Sequence, residues 1–354
     1  MGLFSRKELI GLDIGTSSLK LAQLKKTAKG YELVKAALKP LPQGVISEDE
    51  ILDKEIVIET IKQLFQEQKV TTKDVATSVS GRSVIIKRIK LPAMSEDELE
   101  ESIRFEAEQY IPFDINDVSL DFQIMQNPPK KDEGEMDVLL VAVKKERIQD
   151  LVSVVTKAGL NPAVIDIDVF ALENQYEINH THQEAGNYVV LLDIGADTTN
   201  MNILWEKETV FTRDASLGGN DYSKILQTSL GLSADQAERL KQGEYVEGVS
   251  ADQVVPLREN FYEEIFSEIQ RSFDYFRATS DNAPIGKILL SGGTSKVEGI
   301  DTALAHRFEI EVGKANPFQK IQINPNQFDT GWLTSVAPMM AVVVGLALRR
   351  VDDR

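Results

Sequence analysis

The chain is expected to fold as an α/β protein built from two similar lobes, each carrying an insertion. Three observations support this. An apolar strand runs into Asp13-Ile14-Gly15-Thr16-Ser17-Ser18 near the start, and the same pattern returns in Asp193-Ile194-Gly195-Ala196-Asp197-Thr198-Thr199. Each copy is followed by further strand-like runs and then by helical periodicity. A third glycine turn, Ser291-Gly292-Gly293-Thr294-Ser295, follows a short apolar run late in the chain. The duplication lies in the pattern of elements and is too faint to be a sequence repeat.

The elements follow in order. Residues 9–14 and 19–24 flank the first glycine turn and suggest a hairpin, with a third strand at 31–37. Ile56, Ile58, Ile61, Leu64 and Phe65 give 54–68 a helical spacing. A strand at 75–80 ends at Gly81. Residues 84–91 read as a charged strand closed by Pro92. Ser95 and Glu98 form a capping box, opening a helix to about Tyr110 with Leu99, Ile103, Glu106 and Tyr110 on one side. The polar, Pro-bearing stretch 127–137 reads as a hairpin loop before a buried strand at 138–143. A helix at 146–158 closes at Gly159. Residues 81–162 thus look like a small α+β insertion. The chain returns to the sheet at 164–167 and continues in a helix at 168–177. Strands at 189–192, 201–205 and 209–213 repeat the opening of the first half, and Gly218-Gly219 breaks the sheet. Residues 220–283 are helical, with a second capping box at Ser233 and Gln236. A strand at 288–290, a helix at 297–308 and an apolar helix at 335–350 complete the chain.

Composition bounds the function. The 354 residues suffice for two or three domains, and a 42% hydrophobic share supports real cores. The absence of cysteine excludes disulfides, iron–sulfur clusters and thiolate zinc. His180 and His182 alternate in a polar stretch and read as a solvated loop more readily than as metal ligands. A formal charge of −17 repels nucleic acid and anionic lipid, so neither is expected as a direct partner. No secretory signal is read at the start, and the apolar stretch 336–348 is shorter than the ~20 residues a bilayer requires. A soluble, cytosolic protein without membrane insertion is expected.

The turns carry the chemistry. A turn after a strand presents successive backbone N–H groups to an anion, and glycine lets a phosphate approach the main chain. Gly15 would serve that role, with Thr16, Ser17 and Ser18 adding hydroxyl donors. Lys20 offers a point charge for a β-phosphate. Asp13 cannot bind phosphate directly and is expected to hold Mg²⁺, directly or through water. Asp193 is the mirror acid for the metal's water shell, and Gly195, Thr198 and Thr199 would face the terminal phosphate. Gly292, Gly293 and Thr294 would lie against base and ribose. Gly218, Gly219 and Lys296 complete the nucleotide-binding candidates. A lone Asp-x-Gly turn is usually no more than a tight turn. Two copies in matching strand contexts, followed by the Gly-Gly turn, favour a nucleotide.

This order of motifs resembles the actin-like ATPase superfamily, whose fold duplicates a ribonuclease H-like unit. Within it, Leu91-Pro92-Ala93-Met94-Ser95-Glu96-Asp97-Glu98-Leu99-Glu100 and Phe105-Glu106-Ala107-Glu108-Gln109-Tyr110-Ile111-Pro112-Phe113-Asp114 resemble the PilM family of type IV pilus assembly proteins, relatives of the division protein FtsA. Residues 139–143, 158–160 and 169–172 agree as well. The resemblance implies subdomain 1A at 1–82 and 163–186, 1C at 83–162, 2A at 187–219 and 284–335, and 2B at 220–283, with the C-terminal helix 336–350 packing back between the lobes. It implies ATP and Mg²⁺ in the cleft between the halves. It also implies a groove between 1A and 1C for the cytoplasmic N-terminal peptide of PilN, and through PilN a link to PilO and to the inner face of the cytoplasmic membrane. Ribose contacts are implied for Glu238 and Lys241, the alternative being an ordinary exposed helical face. Asp168, opening the helix that joins the halves, is the candidate to orient a hydrolytic water, or else that helix's cap. Residues 84–91 and the face carrying Phe105, Tyr110 and Phe113 are candidates for the peptide groove, against a plain core role for the aromatics. A small-molecule kinase and an FtsA-like filament former are the alternative functions. Slow or absent ATP turnover is expected.

Overall fold

A computed structural model describes residues 8–47, 50–126, 134–180, 187–280 and 284–351. The loop expected at 127–137 falls mostly outside them, as does His182. Strands β1 (Ile10–Ile14), β2 (Ser18–Thr27) and β3 (Gly30–Pro40) form an antiparallel meander. A short ribbon follows, β4 (Ile46–Ser47) with β5 (Glu50–Ile51). Helix α1 (Lys54–Glu67) begins where the Asp53 carboxylate accepts from Ile56 N at 3.0 Å, which satisfies one of the free amides of its first turn. Its stripe of Val57, Ile61, Leu64 and Phe65 is buried on the sheet. Strand β6 (Asp74–Val79) then pairs parallel to β1.

The insertion is a three-stranded sheet, β7 (Val84–Pro92), β8 (Val118–Ile124) and β9 (Glu135–Lys144), in the order β7-β9-β8. Helix α2 (Glu96–Ala107) covers it, burying Leu99 and Ile103 against Val138 and Leu140. Its capping box is present, with Ser95 N donating to Glu98 Oε2 at 2.8 Å and Glu98 N to Ser95 Oγ at 3.3 Å. Helix α3 (Lys145–Lys157) was expected inside the insertion. Its buried residues Leu151, Val154 and Val155 pack instead with α1 and the first sheet, and Lys54 Nζ meets Asp150 Oδ1 at 2.7 Å. An amphipathic stripe fixes that a helix has a buried face but not which sheet receives it. Here topology decides. Strand β10 (Asn161–Ile167) pairs parallel to β6, and a parallel pairing needs a crossover that lies on the sheet, a role α3 fills.

Helix α4 (Asp168–Asn179) leads to the second lobe, where β11 (Tyr188–Ile194), β12 (Thr199–Trp205) and β13 (Glu208–Ala215) form another antiparallel meander. Helices α5 (Gly219–Leu230), α6 (Ala234–Lys241) and α7 (Ala251–Thr279) follow, then β14 (Ile285–Ser291), α8 (Ile300–Phe308) and β15 (Glu311–Lys314). This sheet runs β13-β12-β11-β14-β15. The first runs β3-β2-β1-β6-β10, the same connectivity, with one strand added beyond β3. That strand is β16 (Ile321–Gln322), parallel to β3. The chain therefore leaves the second lobe well before the expected boundary at 335. Phe318, Ile321, Leu333 and Val336 bury against Ala22, Leu24 and Leu33, extending the apolar cover that Val343, Val344 and Ala347 of the last helix give to the same face of β2 and β3.

The last segment comprises α9 (Thr330–Val336), a 3₁₀ turn at Ala337–Met340 and α10 (Ala341–Leu348). Thr330–Leu348 has a mean hydropathy of 1.8, enough by composition to cross a bilayer, yet 67% of it is buried inside the protein. Residues Ala341 to Ala347 are buried without exception. Two glycines permit this. A methyl on Gly345 would overlap the Ala171 carbonyl of α4, and one on Gly11 would overlap the Val343 carbonyl of α10. Helix α10 is thus wedged between β1 and α4 at backbone contact. Gly345→Ala is expected to destabilise the protein by about 1–3 kcal/mol, the range for overpacking a core. Gly313→Ala, whose added methyl meets Leu289 Cδ2 at 3.5 Å, is expected to cost no more than about 0.5 kcal/mol. Denaturant melts of the two variants check this.

Candidate functional site

The β1–β2 register sets Asp13 directly across from Lys20. Lys20 Nζ lies 2.8 Å from Asp13 Oδ2, and both side chains are nearly buried. The turn between them is closed by Gly15 N donating to Ser18 O at 3.2 Å. The second lobe repeats this closure, with Gly195 N donating to Thr198 O at 2.8 Å, but Asn200 stands opposite Asp193 where the first lobe has lysine. Ser291, ending β14 beside Asp193, donates to Asp193 Oδ1 at 2.6 Å. Asp168 is the first residue of α4, whose N-cap is Ile167. It is therefore not the cap. It receives hydrogen bonds from Ser78 and Ser80 at the end of β6.

These groups sense one another. Burial, then repulsion from Asp13, lifts the Asp168 carboxyl to a pKa of about 7. Asp193 is raised as well, chiefly by burial, although Ser291 and Lys20 pull it down. Burial opposes the charge on Lys20, but the Asp13 carboxylate, with Asp193 and Asp168, more than offsets it and raises its pKa. Three acids, Asp13 buried and Asp168 and Asp193 half-buried, thus converge electrostatically on one ammonium. Such an arrangement lacks positive charge, and a divalent cation with its waters would supply it. Among the described residues no three acidic or histidine side chains make a metal site by themselves, so Mg²⁺ would need phosphate and water as further ligands.

A second cluster adjoins the Gly195 turn. Gly219 N donates to Gly195 O at 3.0 Å and Asn220 N to Ala196 O at 2.7 Å, docking the start of α5 on this turn. A methyl on Gly218 would lie 2.5 Å from Ala196 O, and one on Gly219 would lie 2.5 Å from Thr294 Oγ1. Lys241 Nζ reaches Gly219 O at 3.2 Å and pairs with Glu238 Oε2 at 2.6 Å, while Ser223 Oγ donates to Glu238 Oε2 at 3.1 Å. Burial works against the Glu238 charge, but Lys241, Gln242 and Ser223 together hold its carboxyl below the ordinary value. Lys241 is no solvated helical face: its side chain is 12% exposed. Gly292 adopts a φ of +85° against the Ile194 backbone, and the neighbouring Gly293 is exposed, with space above it.

These residues fit a magnesium nucleotide. Ser18 Oγ is buried beside the first turn without a partner. Ser17 is exposed, and Gly15, Thr16, Gly195 and Thr198 are half-buried in the turns. Three expectations change in detail. Thr199 gives its hydroxyl to Leu217 O at 2.7 Å, and Thr294 gives its own to Gly195 O at 2.6 Å, so each spends its hydrogen on the backbone. Lys296 is exposed beyond the Gly292-Gly293 turn. The sequence reading missed the supporting hydroxyls of Ser78, Ser80 and Ser223. Ser291 was visible as the residue before the Gly-Gly turn, but not its bond to Asp193. His180 stacks on Tyr176 with ring centroids 4.5 Å apart and takes no part.

Asp168 generates a pH prediction. The folded protein holds a proton that the unfolded chain releases above pH ~4. Stability from that proton is full below pH ~4 and is lost as the pH rises towards 7. Asp168→Asn keeps partners for Ser78 and Ser80 but does not titrate. Its stability relative to the parent is expected to rise between pH 4 and pH 7, by up to about 4 kcal/mol, and then to level off. Denaturant melts across this range check it.

The chain resembles several solved structures over nearly its whole length. A PilM–PilN type IV pilus biogenesis complex contains a chain 29% identical, with a TM-score of 0.86, covering 98% of this chain and 100% of that one. The ethanolamine utilization protein EutJ from Carboxydothermus hydrogenoformans is 15% identical with a TM-score of 0.56, covering 98% and 91%. MreB5 of Spiroplasma citri bound to ADP is 11% identical with a TM-score of 0.55, covering 96% and 94%. The last two likenesses establish the actin-like fold. The family model for type IV pilus assembly protein PilM matches residues 11–351, and the chain belongs to that family.

Proposed function

We propose that this protein is an ATP-binding adaptor of the type IV pilus assembly machinery that engages the cytoplasmic N-terminal peptide of PilN. The observation that carries the partner is the likeness, end to end, to a chain solved in complex with PilN. On this reading the protein works at the inner face of the cytoplasmic membrane, held there by PilN and linked through it to PilO.

Nucleotide binding rests on the paired turns. Gly15 and Gly195 would present backbone to the phosphates, and Lys20, now paired with Asp13, would be the cation for phosphate oxygens. Asp13 and Asp193 would hold Mg²⁺ through its water shell, supplying the positive charge that these acids lack, and Asp168 would orient water. Glu238, Lys241 and the Gly292-Gly293 turn take the nucleoside. Turnover is slow or absent, and nucleotide acts through its different contacts with open and closed lobes.

Peptide binding rests on an open sheet edge. Among the described residues β7 pairs in its sheet only with β9, and its other edge, beside β13, takes no further strand. A cavity of about 180 Å³ runs along it, lined by Ser80, Val84, Ile86, Lys87, Ile167 and Arg213 among others. An extended peptide adding to such an edge gains main-chain hydrogen bonds and alternate side-chain pockets. Of the aromatics, Phe105 stands 71% exposed, whereas Tyr110 and Phe113 pack on the insertion core.

Asp13→Ala is expected to lower Mg²⁺-dependent ATP affinity by about a hundredfold or more, from the loss of charge-assisted contacts. Folding should persist, because Asp168 and Asp193 remain beside Lys20. Unchanged affinity by calorimetry would refute the phosphate assignment. A Lys87→Glu, Arg213→Glu double variant is expected to weaken binding of the PilN N-terminal peptide about tenfold while sparing ATP. An equal loss of ATP affinity would mean that the groove is not a separate site.

A further inference from the structure

Glu173 lies on the face of α4 that packs on the second sheet, away from the turns. It is hydrogen-bonded through Oε2 to the Thr209 hydroxyl of β13. The same hydroxyl lies 3.0 Å from Asn202 Oδ1 of β12. Asn202 Nδ2 donates to Val169 O of α4 at 3.1 Å. A count of hydrogens then fixes the direction of every bond. A backbone carbonyl only accepts, so Asn202 must turn its amide nitrogen to Val169 and its oxygen to Thr209. That oxygen needs a donor, and the Thr209 hydroxyl has a single hydrogen to give it. Thr209 therefore has none left for Glu173. If Glu173 were ionised, two acceptors would face one hydrogen in a site where Asn202 is fully buried. A neutral carboxylic acid donating to Thr209 satisfies all four groups.

We propose that a proton held on the Glu173 carboxyl is a structural part of the joint between the lobes, completing the donor chain Glu173 to Thr209 to Asn202 to the Val169 carbonyl. The chain ties both ends of one turn of α4 to two strands of the second sheet. Glu173 is accordingly a positioning residue for Asp168, which begins the same helix. The surroundings favour the neutral form. Glu177 on α4, Glu208 on β13 and Asp166 on β10 all repel a charge at Glu173, and Asp166 is itself paired with Arg349 at 3.3 Å. Helix α10, packed along α4, has no titratable side chain, and β12 faces Glu173 with Asn202. On β6 Asp74 is bonded to Asn161, and on β11 Asp193 is bonded to Ser291 at the far, cleft end. Burial first, and these acids after it, push the Glu173 carboxyl up to about 8.

The test uses the full chain without nucleotide, so it does not depend on the ATP reading. Glu173→Gln places an amide donor where the proton sits and cannot ionise. The folded wild type keeps a proton that the unfolded chain releases above pH ~4. Its melting temperature is therefore expected to fall relative to that of Glu173→Gln as pH rises from 5 to 8, with no further divergence above that. In ¹³C-labelled protein the one carboxyl resonance absent from Glu173→Gln should still report the protonated form at pH 7. A pH-independent difference in melting temperature, or a carboxyl titrating near the ordinary glutamate value of ~4.3, would overturn the proposal. Should Glu173→Gln fail to fold, the resonance is assigned by sequential connectivity, and the wild-type titration decides alone. Repeating the melting comparison with Asp168→Asn in both proteins removes the cleft acid from the profile and is expected to leave the divergence between pH 5 and 8 in place.

Discussion

The structure turns on the charge balance around Lys20. Its ammonium is bonded to Asp13 and senses Asp168 and Asp193, acids from the first sheet, the connecting helix and the second sheet. Three elements distant in sequence thus share one electrostatic problem. Like charges in a buried site raise each other's pKa, as happens at Asp168, or recruit a cation. Closing the lobes on a magnesium nucleotide would solve the problem. Pulling them apart would leave the acids to water. On the proposed reading, the degree of closure and the occupancy of the cleft would be coupled for that reason.

That coupling needs a joint stiff enough to transmit it. The joint is α4 and α10. Helix α10 touches β1 on one side and α4 on the other at backbone distance, through Gly11 and Gly345. Helix α4 reaches the second sheet through Asn202 and Thr209 and carries Asp168 at its start. The β7 edge proposed for the peptide lies close by, because the cavity along β7 is also walled by Ile167, Val169 and Asn200. A change at the cleft is therefore never more than a few side chains from the edge at which a partner strand would add. Packed elements of this kind, with two discrete arrangements, are what carries coupling between sites.

Much of this was legible in the sequence because it is local. A strand, an Asp-x-Gly turn and a returning strand are contiguous, and the capping boxes at Ser95 and Ser233 are read from four residues each. The pairing of Asp13 with Lys20 is local too, since the hairpin register opposes them, but the sequence reading gave the two separate tasks, metal and phosphate. What escaped depends on distant partners. Ile321 and Gln322 are too short a run to announce a strand, and only the open edge of β3 makes them one. The stripe of α3 marked a helix but not the sheet beneath it. Thr199 and Thr294 sit in the turns where the spacing placed them, yet their hydroxyls are committed to Leu217 and Gly195 by packing that no spacing encodes. Glu173 gave no signal at all, because an acid in a helix is ordinarily a solvated one.

The central claim is that the cleft binds a triphosphate only together with a divalent cation, because its own acids repel the nucleotide. The most direct measurement is calorimetric titration of ATP into the protein with Mg²⁺ and then with excess chelator. Affinity should fall by about two orders of magnitude or more without the metal, as expected for phosphates placed among unneutralised buried carboxylates. Equal affinity in chelator would contradict it.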